Sequence, residues 1–118
     1  MKIRIKGNSL RYRLTKSDIY RLSHDSYLED KTDFGNRVLV YVIQKTMENN
    51  LSAFFDDNVI CLQIPGEMIG ELESTDRVGF EGKEGNLHLL VEKDFTCLDN
   101  VSEDQSDNYP NPLAEKLK

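Results

Sequence analysis

Leu10, Tyr12 and Leu14 stand fifty residues before Ile60, Leu62 and Ile64, and Ile19 and Leu22 stand fifty before Ile69 and Leu72. The same ungapped overlay sets Leu28 on Val78, Gly35-Asn36 on Gly85-Asn86, and Leu39-Val40-Tyr41 on Leu89-Leu90-Val91. Identical residues are few, but turns, caps and apolar positions agree together, the signature of one supersecondary unit used twice. The chain therefore reads as two successive hairpin–helix–strand halves, residues 1–48 and 51–98, within one globular domain spanning 1–98.

Each half carries its own local signals. Lys2 to Lys6 alternates charge with Ile3 and Ile5, Gly7-Asn8 turns, and Leu10, Tyr12 and Leu14 alternate with Arg11 and Arg13, which predicts a hairpin with one buried face. Thr15-x-x-Asp18 fits a capping box opening a helix with Ile19 and Leu22 on its apolar edge. A polar stretch with Tyr27 and Leu28 and an Asp33-Phe34-Gly35-Asn36 turn lead to Val38–Ile43, a β-branched run suited to a strand covered on both faces. In the second half, Leu51–Phe55, an Asp56-Asp57-Asn58 turn and Val59–Ile64 predict another hairpin. Pro65 fits the first turn of a helix with Met68, Ile69 and Leu72 on its apolar edge. Short strands at Val78–Phe80 and Leu87–Val91 flank a Gly82–Asn86 turn. The expected fold class is α+β: about seven short strands, mostly antiparallel, and two short helices. A β-barrel or half-barrel with internal pseudo-twofold symmetry is the favoured form.

Composition excludes several function classes. At 118 residues, 38% hydrophobic and 31% charged, the chain has the make-up of an ordinary globular domain. No apolar run approaches the ~20 residues of a membrane span, and the charged N-terminus lacks the apolar core of a signal peptide. A cytoplasmic location with no membrane partner is expected. Cys61 and Cys97 form no close pair, and His24 and His88 stand at no ligand spacing, so neither a metal nor another cofactor is expected. Asp33-Phe34-Gly35 matches a kinase tripeptide without any other kinase element, and the glycines form no phosphate-cradling loop. From residue 99 to 118 the chain becomes acidic and then Asn- and Pro-containing, an arm or tail unable to fold alone.

Charge is distributed in blocks. Lys2, Arg4, Lys6, Arg11, Arg13, Lys16 and Arg21 face a single acid, Asp18, in the first 22 residues of a chain whose net charge is −6. Alternation puts Lys2, Arg4, Lys6, Arg11 and Arg13 on one face of the first hairpin, a candidate site for a nucleic acid, a small anion or an acidic protein segment. Tyr12 belongs to the opposite face, so the aromatic platform that stacks unpaired bases is missing. The competing expectation is a merely solvated charged face. A further reading lays Asp99, Glu103, Asp104 and Asp107 of the tail on those cations, either satisfying the face or occupying it until a partner displaces them. The alternative class is a small enzyme or metal-dependent protein using the acidic C-terminal segment with Cys97. Uncovered strand edges leave room for a homodimer.

Two resemblances follow from particular residues. Met1–Ser9, Asp33-Phe34-Gly35, Leu90–Phe95, Cys97-Leu98 and Glu103–Pro112 resemble a small family of bacterial proteins that has no established function to carry over. Asn58–Ile64 leading into Pro65, then Glu67, Ile69 and Leu72, Asp76-x-Val78 and Gly85–Leu89 resemble the swapped-hairpin unit of AbrB- and MazE-like regulators and antitoxins. The first half departs from that unit, with Thr15 in place of the proline and no counterpart of Asp76-x-Val78. In that family two short protomers interlock, so the resemblance implies a pseudo-dimer in one chain and DNA binding by fold analogy alone.

Overall fold

Residues 1–95 and 106–110 are described by the structure, a computed structural model. Alternating side chains make β1 (Lys2–Lys6) and β2 (Ser9–Leu14) an antiparallel pair. Gly7 takes a φ of 55° at the turn between them, a conformation free of steric cost only without a Cβ. Helix α1 (Lys16–Asp25) opens on the capping box read in the sequence. Thr15 Oγ1 accepts from the Asp18 N–H at 3.2 Å, and Asp18 Oδ2 accepts from the Thr15 N–H at 2.9 Å. The same Asp18 oxygen lies 2.8 Å from the Met1 ammonium, so one carboxylate fixes both the helix start and the first strand. Strands β3 (Tyr27–Asp33) and β4 (Val38–Thr46) form the next hairpin. The order then recurs: β5 (Ser52–Asp56), β6 (Val59–Pro65), α2 (Gly66–Ser74), β7 (Gly79–Glu84) and β8 (Leu87–Lys93). Pro65 closes β6 and stands at the N-cap of α2.

The hairpins assemble into two four-stranded sheets, ordered β1-β2-β8-β7 and β3-β4-β6-β5. Each sheet combines a hairpin from the first half with one from the second. The joins are parallel, β2 on β8 and β4 on β6, while every hairpin is antiparallel. Between the sheets lies one apolar core with Tyr12, Leu14, Ile43, Leu62, Leu89 and Val91 at its centre. The helices add Ile19, Leu22, Ile69 and Leu72 to it. Tyr12 is fully buried, and its hydroxyl donates to the Ile60 carbonyl at 3.2 Å, joining the two sheets through the core. Among the described residues no helix is long and apolar enough to cross a membrane.

The α+β class and the mostly antiparallel pairing stand, with two corrections. Among the described residues the strands form two separate sheets and no closed barrel. They number eight among the described residues, because the polar Tyr27–Asp33 stretch is a strand at a sheet edge, where only Leu28 is buried and the pattern carries little apolar signal. The two central joins are the parallel exceptions, since a period of two in the side chains does not reveal the direction of a distant neighbour.

Candidate functional site

Register assembles the cations named above. Lys2 pairs with Arg13 and Arg4 with Arg11, while Lys6 pairs with Ser9. Because Leu10, Tyr12 and Leu14 point into the core, these five charges all lie on the outer face of the first sheet. Their spacing follows from the sheet: ~4.8 Å between strands and ~6.7 Å between alternate residues. Strand β8 then sets Glu92 beside Arg13, Leu90 beside Arg11 and His88 beside Ser9. Strand β7 adds Glu81 and Lys83 at the far edge of the same face.

Neutralisation is uneven across that face. Arg11 Nε lies 3.1 Å from Glu92 Oε1, and Arg13 Nε lies 4.0 Å from the same oxygen. Lys2 Nζ lies 3.2 Å from Asp94 Oδ2, a buried oxygen that accepts no aligned hydrogen bond, so this contact is ionic. These groups line a groove of about 250 Å³ of mixed charge. Towards the β1–β2 turn the character changes. A second groove of about 240 Å³ is lined, among the described residues, by Arg4, Lys6, Ser9 and Arg11 and by no carboxylate. Among the described residues, Arg4 and Lys6 form no ion pair. Three cations and a hydroxyl around one depression can receive a phosphate-sized anion through charge-assisted hydrogen bonds.

Of the four tail acids, Asp99, Glu103 and Asp104 lie outside the described residues, and Asp107 sits elsewhere than the basic face. The Lys16 N–H donates to the Asp107 carbonyl at 3.2 Å and the Ser17 N–H to its carboxylate at 3.3 Å, at the N-terminus of α1. Hydrogen bonds from Ser17 and Thr15 hold the Asp107 carboxyl below its ordinary range. The Tyr109 N–H donates to the Asp94 carbonyl at 2.9 Å, and its ring meets Phe95 edge-on at a centroid distance of 6.1 Å. Lys93 Nζ lies 4.8 Å above that ring and donates to the Thr75 carbonyl at 2.8 Å. Burial pulls the Lys93 ammonium below its ordinary range, against the opposing attraction of Asp76. Among the described residues, the carboxylates that meet the hairpin cations come from β8 and the residue after it, Glu92 and Asp94.

Cys97 also lies outside the described residues. Cys61 is buried, and burial pushes its thiol up, away from the reactive thiolate. His24 stacks on Tyr20 on the exposed side of α1, and His88 is exposed on the basic face. Among the described residues no three of His, Cys, Asp and Glu are grouped to hold a metal ion. Sequence reasoning missed Ser9, Glu92 and Lys83 as members of the face. The alternation of His88, Leu90 and Glu92 was a signal that they share a side, but nothing local says that β8 lies against β2.

No curated protein and no solved structure matches the chain. A family model described as a family of unknown function (DUF7009) matches residues 1–113. That match covers nearly the whole chain and agrees with the first of the two resemblances; the chain belongs to this family of unknown function.

Proposed function

We propose that the protein is a non-enzymatic binding module whose outer face on the first sheet receives the phosphate backbone of a nucleic acid. The observation that carries this reading is the groove of Arg4, Lys6, Ser9 and Arg11, free of carboxylates among the described residues. A cationic groove lined by no aromatic residue suits backbone contact with a duplex better than stacking of unpaired bases. The net charge of −6 does not oppose it, because the local excess is what a nearby phosphate feels within the ~8–10 Å screening length.

The reading also treats the two halves as diverged copies of one unit. Its support is a set of matching bonds. The His88 N–H donates to the Asn8 carbonyl at 2.9 Å, as the Val40 N–H does to that of Asn58 at 3.0 Å. The Lys93 N–H donates to the Val78 carbonyl as the Lys45 N–H does to that of Ser26, both at 2.9 Å. Ser23 and Glu73, fifty positions apart, meet at 3.0 Å where the halves touch. The matching bonds also shift the overlay. Leu10 pairs with Leu89 where Ile60 pairs with Tyr41, so the counterpart of Leu89 is Tyr41, two residues beyond the ungapped Leu39. Exchange of hairpins between halves is the arrangement that the AbrB-like resemblance implies for a pseudo-dimer.

Duplex DNA at low salt tests the function. The wild-type chain is expected to bind and to be retained on heparin, and Arg4→Glu with Lys6→Glu to lose both properties while keeping the far-UV spectrum. Equal retention of wild type and double variant, or none by either, would sink the proposal.

A further inference from the structure

The outer face of the second sheet has the opposite chemistry. One row across it runs Lys31, Val40, Val59, Asp56, and the next runs Glu29, Val42, Cys61, Phe54. Where the first sheet places Arg4 and Arg11, the second places Phe54 and Cys61 at the corresponding strand positions. Val42 and Cys61 lie outside the central core yet are already buried by their neighbours on this face, while Val40 and Val59 are half-buried, Phe54 beside Cys61 is 51% exposed and Val38 further along β4 is 38% exposed. Exposed apolar side chains grouped on one sheet face mark an interaction surface.

We propose that this face is a homodimer interface in which two copies pack sheet on sheet about a two-fold axis parallel to the strands. The valine-centred row decides the occupant. It ends in a cation on one edge and an anion on the other, Lys31 and Asp56. Rotation about such an axis lays β3 of one copy over β5 of the other. Lys31 then faces Asp56 of the partner subunit twice, and Val40 meets Val59 of the partner subunit. Within this row the contact is self-complementary, the form an isologous contact requires. Aligned sheets pack ~10 Å apart at about −30°, a separation across which lysine and aspartate side chains meet. Four strands of about five residues give a footprint roughly 19 Å by 17 Å, smaller than the ~800 Å² per partner of a long-lived complex. The dimer is therefore weak and concentration-dependent. It uses the sheet that the proposed nucleic-acid site leaves free, so neither proposal depends on the other.

Sedimentation equilibrium of the full chain from ~10 μM to ~1 mM, a range suited to a weak dimer, tests it. Reversible dimerisation is expected, with Kd raised at least tenfold by Lys31→Asp and by Asp56→Lys separately, and restored to within threefold by the two together. Val40→Lys is expected to abolish dimerisation with the circular dichroism spectrum unchanged. A monomer across the whole range overturns the proposal and leaves the face to a different protein. A dimer indifferent to Lys31→Asp, or a charge swap that fails to restore Kd, overturns it too, since these substitutions are on the surface and leave the fold intact.

Discussion

Tyr12 joins the sheets through one hydroxyl, in a core whose other members are apolar. Tyr12→Phe keeps the ring and removes the donor, so the expected loss is about 0.5–1.5 kcal/mol, read as a lower urea midpoint at unchanged slope. Asp107 makes a different kind of contact, with the N-terminus of α1, and its carboxyl is held below the ordinary value of 3.8. A depressed folded-state pKa stabilises above the unfolded value and loses that contribution as pH falls through the folded one. Docking of residues 106–110 is thus expected to persist at neutral pH and to weaken below about pH 4, followed through the Ser17 amide resonance. Asp107→Asn should remove that pH dependence; an unchanged acid transition would show that the contact contributes nothing.

At the scale of elements, β7 and β8 approach so closely that side-chain volume is excluded. A Cβ on Gly79 would lie 2.4 Å from the Val91 carbonyl oxygen, a backbone atom that cannot swing aside. Gly79→Ala is expected to cost about 1–3 kcal/mol or more and to loosen the β7–β8 hairpin, visible as faster amide exchange there. Thr15→Ala removes half of the capping box and is expected to cost about 1 kcal/mol. What the sequence disclosed at this scale was local: hairpins from alternation, α1 from its cap, α2 from the Ile69–Leu72 spacing. The polar strand β3 was hidden because an edge strand buries only Leu28, so composition does not distinguish it from a loop. The α1–Asp107 contact was equally hidden, since it uses the backbone N–H groups of Lys16 and Ser17, which any residue supplies.

At the scale of the molecule, one frame carries two unlike faces. The basic positions were legible because a hairpin orders its own side chains, and Lys2, Arg4, Lys6, Arg11 and Arg13 do share one side. Their carboxylate neighbours were not legible, because β2 meets β8 only through the parallel join. That join decides which cations are engaged: Glu92 holds Arg11 at 3.1 Å and Asp94 meets Lys2, while Arg4 and Lys6 face outward. Function by this account resides in the difference between the faces, with the core and helices serving both. The central claim is tested most directly by the salt dependence of duplex DNA binding, measured by fluorescence anisotropy between ~50 and ~200 mM salt. Engagement of Arg4 and Lys6, which form no ion pair among the described residues, predicts a log–log slope near −2, reduced by about one when Arg4 is changed to Gln and unaffected by Lys45→Gln on the other sheet. Binding that is insensitive to salt, or a slope that Lys45→Gln changes and Arg4→Gln does not, would contradict it.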